Sequence, residues 1–355
     1  MYNLDDSEII STFDKSNMKD ILLNFADQYS KTQEIARNFD KIPSYYTNFK
    51  NIVFSGMGGS AIGGDLIRTL FNEDCPIPII INRDYNIPKF VDQSTLFISA
   101  SYSGNTEETL SAFNQAQNRG AKIIAISAGG ELKKLSEESK IPYFEIEQKG
   151  LQPRCAFGYM FVPMVYFLSK IGLIPDQSTN FDETARIISE SAKELATNIP
   201  VFNNRAKQLA ITFYNKVPIF YAPQSYFDVV AMRWKGQINE NSKASAFYNI
   251  IPEMNHNEIV GWGIPQDITW RCVVVILTHQ NESEKIIKRI AVTSSIIAET
   301  GAQVIEIYAK GSTPIAKALY LIYLGDMVSY YLAILNGVDP TPIERISLLK
   351  SKLGS

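Results

Sequence analysis

The sequence has little of what many functions require. Its 355 residues include two histidines and three cysteines. It contains no His-x-x-x-His pair, no Cys-x-x-Cys pair and no dense carboxylate loop, so the spacing of a metal centre is missing and no metal or other cofactor is expected. Cys75, Cys155 and Cys272 are scattered and odd in number, which reads as reduced thiols rather than a disulfide framework. Basic side chains number 34 against 37 acidic, a net charge of −3, and no Lys/Arg block occurs. That argues against a nucleic-acid partner held through its phosphates. The most membrane-like stretch, 316–335, is interrupted by Asp326, with Lys317 and Ser329, and reads as a buried core helix rather than a membrane span. The N-terminus opens acidic and lacks the basic-then-apolar order of a signal peptide. The expectation is a soluble cytoplasmic protein with neither membrane nor nucleic acid as partner.

What is present points to a substantial core. Hydrophobic residues make up 45% and charged residues 20%, and the length favours two domains. Short β-branched runs at 51–55, 77–81, 95–100, 122–127 and 142–147 alternate with helical patterns at 61–71 and 107–118. Helical segments at 159–171, 182–198 and 203–214 follow. A second alternating block then reads strand 217–222, helix 226–240, strand 272–277, helix 282–299 and strand 303–307, before helices 314–335 and 342–353. This order predicts an α/β protein with two parallel sheets flanked by helices. The expected division is an N-terminal helical segment (1–40), a first domain (41–172), a helical bridge (173–215) and a second domain with C-terminal helices (216–355).

Two turns carry chemistry. Ser55-Gly56-Met57-Gly58-Gly59-Ser60 joins a strand to a helix, where glycines let the backbone approach an anion and the helix start offers free N–H groups. Gly56-x-Gly58-x-x-Ala61 also fits a dinucleotide fingerprint, with Arg83 and Asp84 near the next strand end. The second turn, Ser101-Tyr102-Ser103-Gly104-Asn105-Thr106, separates these readings. An ordinary helix start needs one polar cap, and Asn105 with Glu108 three residues on would supply it. Three hydroxyls, from Ser101, Ser103 and Thr106, suit instead the several acceptor oxygens of a phosphate.

Together the two turns resemble the sugar-isomerase (SIS) domains that bind phosphosugars. More narrowly, the chain from about residue 50 onward resembles the bifunctional phosphoglucose/phosphomannose isomerases of the phosphoglucose isomerase superfamily. The resemblance implies two SIS-type subdomains and places Gly59, Ser60, Ser101, Ser103 and Thr106 against the substrate's phosphate or sugar. It extends to Asn239-Glu240-Asn241-Ser242-Lys243 and to Pro252-Glu253-Met254-Asn255-His256-Asn257. From these it implies that Glu240 is the base moving a proton between C1 and C2. It further implies that His256 helps open the sugar ring in the neighbouring subunit's site, in a homodimer with shared active sites. Arg154, in Gly150-Leu151-Gln152-Pro153-Arg154, matches the arginine that stabilises the enediolate, and Lys350 matches a lysine on the last helix that assists ring opening.

The residue types suit the implied reaction. Aldose–ketose isomerisation moves a weakly acidic C–H proton to the adjacent carbon, and a carboxylate in a partly desolvated pocket can make both transfers. The cis-enediolate carries negative charge that a fixed guanidinium offsets. Read without the resemblance, these residues have plainer explanations: a salt-bridged helix end around Glu240, a solvated loop histidine, a surface arginine and a terminal helix lysine. His279, at the end of strand 272–277, reads as a strand-end residue rather than a catalyst. The expected activity interconverts glucose 6-phosphate and mannose 6-phosphate with fructose 6-phosphate. The alternatives are a sugar-phosphate sensor on the same fold, or an isomerase forming glucosamine 6-phosphate, which would need an ammonia source.

Overall fold

The computed structural model describes residues 1–147 and 150–353. Two compact units are present: residues 27–179, and residues 1–26 together with the chain from 180 onward. Three helices open the chain, α1 (Ser7–Phe13), α2 (Met18–Leu23) and α3 (Phe25–Arg37), and the division between units falls inside α3. The N-terminal helical segment expected over 1–40 is thus shared between the units.

The 27–179 unit contains β1 (Asn51–Ser55), α4 (Gly58–Leu70), β2 (Ile79–Asn82), β3 (Thr95–Ala100), α5 (Glu107–Asn118), β4 (Lys122–Ser127), α6 (Gly130–Glu138), β5 (Tyr143–Glu145) and α7 (Phe157–Ile171). Its five strands lie in the order β2-β1-β3-β4-β5, all parallel. A parallel sheet covered on both faces needs continuous apolar strands, and Asn-Ile-Val-Phe-Ser and Thr-Leu-Phe-Ile-Ser-Ala meet that need. Val53 pairs in register with Ile80 and Phe97, and with Phe113, Ile123 and Leu132 it forms the core under α5 and α6.

The second unit continues with α8 (Ser178–Glu194), α9 (Arg205–Phe213), β6 (Val217–Pro223), α10 (Tyr226–Ser242), β7 (Phe247–Ile251), α11 (Gln266–Thr269), β8 (Cys272–Thr278), α12 (Glu284–Glu299), β9 (Gln303–Tyr308), α13 (Pro314–Leu335) and α14 (Glu344–Leu353). Its sheet is parallel in the order β7-β6-β8-β9. Every residue of β8 is buried, and Tyr221, Val274, Ile276, Ile290 and Ile297 make the core beneath α12.

The apolar 22-residue α13 has the length and composition to cross a membrane, yet here it is buried within its own unit, packed against α9 and α10. It reads as the core helix the sequence predicts. Asp326 within it is held by Arg233 of α10 through two contacts of 3.1 and 2.8 Å. The first residues of the chain are tied to the same helices. Asp14 accepts from Tyr330 of α13 at 3.0 Å, and the buried Lys207 of α9 pairs with Asp5 at 2.8 Å. All three cysteines are free thiols.

Several elements depart from the sequence reading. Strand β2 lies two residues later at its start than the 77–81 run, and α8 lies four residues earlier at each end than the 182–198 segment. Helices α6 and α11 and strand β7 were not expected. The start of α6 is a Gly129-Gly130 pair that reads as a loop, and β7 is an edge strand whose Phe247 and Tyr248 are exposed, so it shows neither alternation nor a full apolar run.

Candidate active site

The 27–179 unit brings the two hydroxyl turns together at the carboxyl ends of β1 and β3, adjacent central strands where the strand order reverses. Such a crevice is where open parallel sheets bind ligands. The approach is close enough to require glycine: a Cβ at Gly56 would lie 2.7 Å from the Ala100 carbonyl oxygen. The Ser60 hydroxyl accepts from the Tyr102 N–H at 3.2 Å, fastening one turn to the other. Ser101 Oγ lies 2.9 Å from Thr106 Oγ1 and accepts from the Gly104 N–H at 3.1 Å. Ser101 and Ser60 are buried, Thr106 is half-buried and Ser103 is exposed, with its hydroxyl accepting from the Asn105 N–H.

Neither helix that starts here is capped by a side chain. Met57 precedes α4 and Thr106 precedes α5, and neither makes a cap hydrogen bond. First-turn N–H groups of both helices, with the positive ends of their dipoles, are therefore available to an anion. Asn105 does not supply the cap that its spacing suggested. Its Oδ1 accepts instead from the Glu131 N–H at the start of α6, 2.9 Å away. That bond accompanies a tight crossing, because a Cβ at Gly104 would fall 1.8 Å from the Gly129 carbonyl oxygen. The Arg83 side chain pairs with Asp65 of α4.

Arg154 joins this cluster from a 3-10 turn, Pro153–Cys155. A Cβ at Gly59 would stand 3.0 Å from the Pro153 carbonyl oxygen and 3.4 Å from Arg154 Cα, so the start of α4 rests on the arginine's backbone. The residue is buried, with Nη1 3.4 Å from Gln152 Oε1. Its segment is fixed by a residue the sequence reading passed over. The buried Gln28 of α3 donates to the Cys155 carbonyl and accepts from the Gly158 N–H, both at 3.0 Å. Tyr102 adds a further tie by accepting from the Leu151 N–H at 3.0 Å. A tyrosine set between two serines is the one sequence signal for that contact.

The remaining candidates lie in the other unit. Glu240 stands in the last turn of α10 and lines a cavity of about 630 Å³ with Asn239, Lys243, Asp339, Ile343 and Arg345. Lys243 is the helix's C-cap in the left-handed conformation. Its ammonium donates to the carbonyls of Glu240 (2.7 Å), Asn241 (3.3 Å) and Pro340 (3.0 Å), closing the helix end onto the segment that forms the cavity's far wall. The cavity lining includes neither His256 nor Lys350.

His256 ends a 3-10 turn, Glu253–His256, whose Met254 is buried while the imidazole is exposed. Asn255 pins the turn to α12 through Thr293 Oγ1 at 2.8 Å. Glu258, two residues beyond, accepts from the Tyr221 hydroxyl and from Asn249 Nδ2, so this polar loop is anchored rather than loose. Burial and the Glu258 carboxylate push the Tyr221 phenol well up, keeping it a donor. Lys350 is exposed on α14. His279 is a strand-end residue, as expected: its ring lies against Tyr226 and Phe227 with Nε2 3.3 Å from Glu282 Oε2, and burial lowers its pKa.

Comparison with known proteins bears on both units. Residues 45–141 match the SIS domain family, and residues 202–353 match the bacterial phospho-glucose isomerase C-terminal SIS domain. A bifunctional phosphoglucose/phosphomannose isomerase of Caldicellulosiruptor bescii is 42% identical over 95% of this chain and 98% of its own. One from Aquifex aeolicus is 34% identical over 89% of this chain and 94% of its own. Among solved structures, the hypothetical protein TT0462 of Thermus thermophilus superposes with a TM-score of 0.73 at 15% identity, covering 94% of this chain and 89% of that one, a likeness of fold.

Proposed function

Because the chain belongs to the bifunctional phosphoglucose/phosphomannose isomerase family, we propose that it interconverts glucose 6-phosphate and mannose 6-phosphate with fructose 6-phosphate. The observation that carries this reading is the pair of uncapped helix starts drawn together by the Ser60–Tyr102 bond, with Ser101 and Thr106 hydroxyls side by side. That arrangement suits a monophosphate: it offers several donors and a positive field, and no extended groove is required.

In this reading Gly59, Ser60, Ser101, Ser103 and Thr106 bind the phosphosugar, and Arg154 offsets the charge of the enediolate. Glu240 removes the C2 proton of the aldose and returns it to C1. Support for Glu240 is its place on the wall of a cavity large enough for a hexose, at a helix end locked by Lys243. Lys350 assists ring opening. It stands one helical turn beyond Ile346, which lines the same cavity, and so shares that face of α14. His256 completes the site of a second subunit in a homodimer. What favours this is the exposed imidazole, followed in the chain by the exposed apolar Val260 and Ile264. A cytoplasmic location agrees with free cysteines and a long apolar helix spent on the core.

Glucose and mannose phosphates differ at C2 and give the same enediolate, so one base serves both. Glu240→Gln should lower turnover of both by about a thousand-fold or more, and wild-type protein should carry solvent deuterium into C1 of fructose 6-phosphate. If Glu240→Gln spared mannose 6-phosphate while abolishing glucose 6-phosphate turnover, the single-base reading would be wrong. Glu240→Gln and His256→Ala subunits, each inactive, should regain activity when mixed and exchanged. Failure to do so would remove the shared site.

A further inference from the structure

α13 is apolar and buried on every side, so hydrophobic burial alone does not distinguish one rotation or axial position of α10 upon it from another. Sliding by one residue moves a helix 1.5 Å along its axis with about 100° of rotation. Something else must set the register, and the contact between these helices is unusually polar for so buried a place. Trp234 Nε1 donates to the Leu321 carbonyl at 2.8 Å, its indole lying where a Cβ on Gly325 would be, 2.5 Å from Nε1. Arg233 and Gln237 both donate to Asp326, the latter at 2.7 Å. Asn241 Nδ2 donates to Ser329 Oγ at 2.9 Å, and Ser242 Oγ to the Ser329 carbonyl at 2.7 Å. Asn336, just past α13, donates to the Ser242 carbonyl at 2.9 Å. The partners ascend together along both helices, which therefore run parallel.

We infer that this ladder exists to place Glu240, and that Arg233, Asp326 and Ser329 are positioning residues for the isomerisation. The inference rests on the reading of Glu240 as the base. Glu240 stands three residues after Gln237 and directly before Asn241, so the last rungs bracket it. A buried ion pair is a poor source of stability, since apolar residues of similar size often replace it at no loss, whereas its geometry admits one register only. Lys243, bridging from the helix end to the Pro340 carbonyl, carries the same register to the cavity's other wall. The Glu240 end of α10 and the 338–346 segment are thus held in one relation by rungs, from Arg233 to Asp326 and from Asn241 to Ser329, that lie outside the cavity lining.

The test replaces the ion pair with apolar side chains, Arg233→Met together with Asp326→Leu, in the full chain. The expected result is a folded protein whose Tm falls by no more than roughly 5 °C, because Gln237 loses its acceptor, with kcat lowered by roughly ten- to a hundred-fold and KM held within about two-fold, because the phosphate turns belong to the other unit. Unaltered kcat in the folded double variant overturns the inference. Should that protein not fold, Ser329→Ala, which deletes one hydroxyl beside Asn241, should lower kcat about three-fold or more at constant KM, and unaltered kcat there overturns it equally. Glu240→Gln separates this inference from the reading beneath it. Activity surviving in Glu240→Gln removes both, whereas activity lost there but intact in the ladder variants removes the inference alone.

Discussion

The two sheets share a strand order at their centres and use it differently. In the first, β1 is followed by the Gly56–Ser60 turn and its neighbour β3 by Ser101–Thr106, mostly glycines and hydroxyl-bearing side chains around uncapped helix starts. In the second, β6 holds the equivalent place, with β7 on one side and β8 on the other. Its following turn leads into Tyr226 and Phe227, and the turn after β8 begins with His279. These three rings pack together, with centroids 4.5–6.0 Å apart, where hydroxyls and N–H groups stand in the first sheet. Topology supplies a strand-end turn in both cases, but the side chains differ, hydroxyl-bearing in the first and aromatic in the second. A cavity of about 450 Å³ lies beside His279 at the carboxyl end of β8, and the cavity that Glu240 lines lies at the far end of the helix that leaves the aromatic turn.

The largest expected break in this comparison comes from Gly104→Ala. The added Cβ would meet the Gly129 carbonyl and strain a residue at φ +74°, so the hydroxyl turn must move. A loss of about 2–4 kcal/mol, read as a fall in Tm of roughly 5–15 °C with loss of 6-phosphogluconate binding, is expected. Next come the hydroxyls. Ser101→Ala or Thr106→Ala should each weaken 6-phosphogluconate binding roughly ten-fold or more in calorimetry, since a hydrogen bond to a charged group contributes about 1.5–3 kcal/mol. Ser225→Ala, in the matching turn of the second sheet, should leave the affinity unchanged. Equal effects at Ser101 and Ser225 would collapse the distinction between hydroxyl and aromatic turns.

The smallest effect concerns the aromatic cluster around His279. Burial lowers the His279 pKa below its value in the unfolded chain, so between the two values the unfolded state binds more protons than the fold. Stability contributed by the neutral imidazole is therefore fully present above about pH 6.5 and is lost as pH falls towards the lowered value. Tm measured at pH 5.5 should lie below that at pH 7.5, and His279→Phe should narrow the gap. A gap of the same size in the variant would show that other groups set the pH dependence.

Much of this was legible in the residues themselves. Continuous apolar runs gave away the buried parallel strands because a sheet covered on both faces leaves no solvent side to alternate with. The hydroxyl turns were legible because three hydroxyls exceed what a helix cap requires, and His279 read correctly as a strand-end side chain. Edge strand β7 was hidden, since its exposed Phe247 and Tyr248 break the pattern by which strands are recognised. So was the cap at α5: Asn105 has the right spacing, but its amide is drawn across to Glu131 by a neighbouring turn that is remote in sequence.

By itself, then, the sequence determined most of the strands and helices and their alternation, the apolar core and the chemical character of the two turns, because these follow from local periodicity and residue type. Only the tertiary structure decided what meets what. It chose Ser60 and Tyr102 as the fastening between turns, Gln28 as the anchor of the Arg154 segment, and His279 as the ring that packs on Tyr226 and Phe227. It also set the register of α10 on α13, which periodicity could not reveal in a helix apolar on all sides. Each of these depends on side chains distant in sequence whose hydrogen bonds must be satisfied once water is excluded, a demand that arises only when the chain has packed.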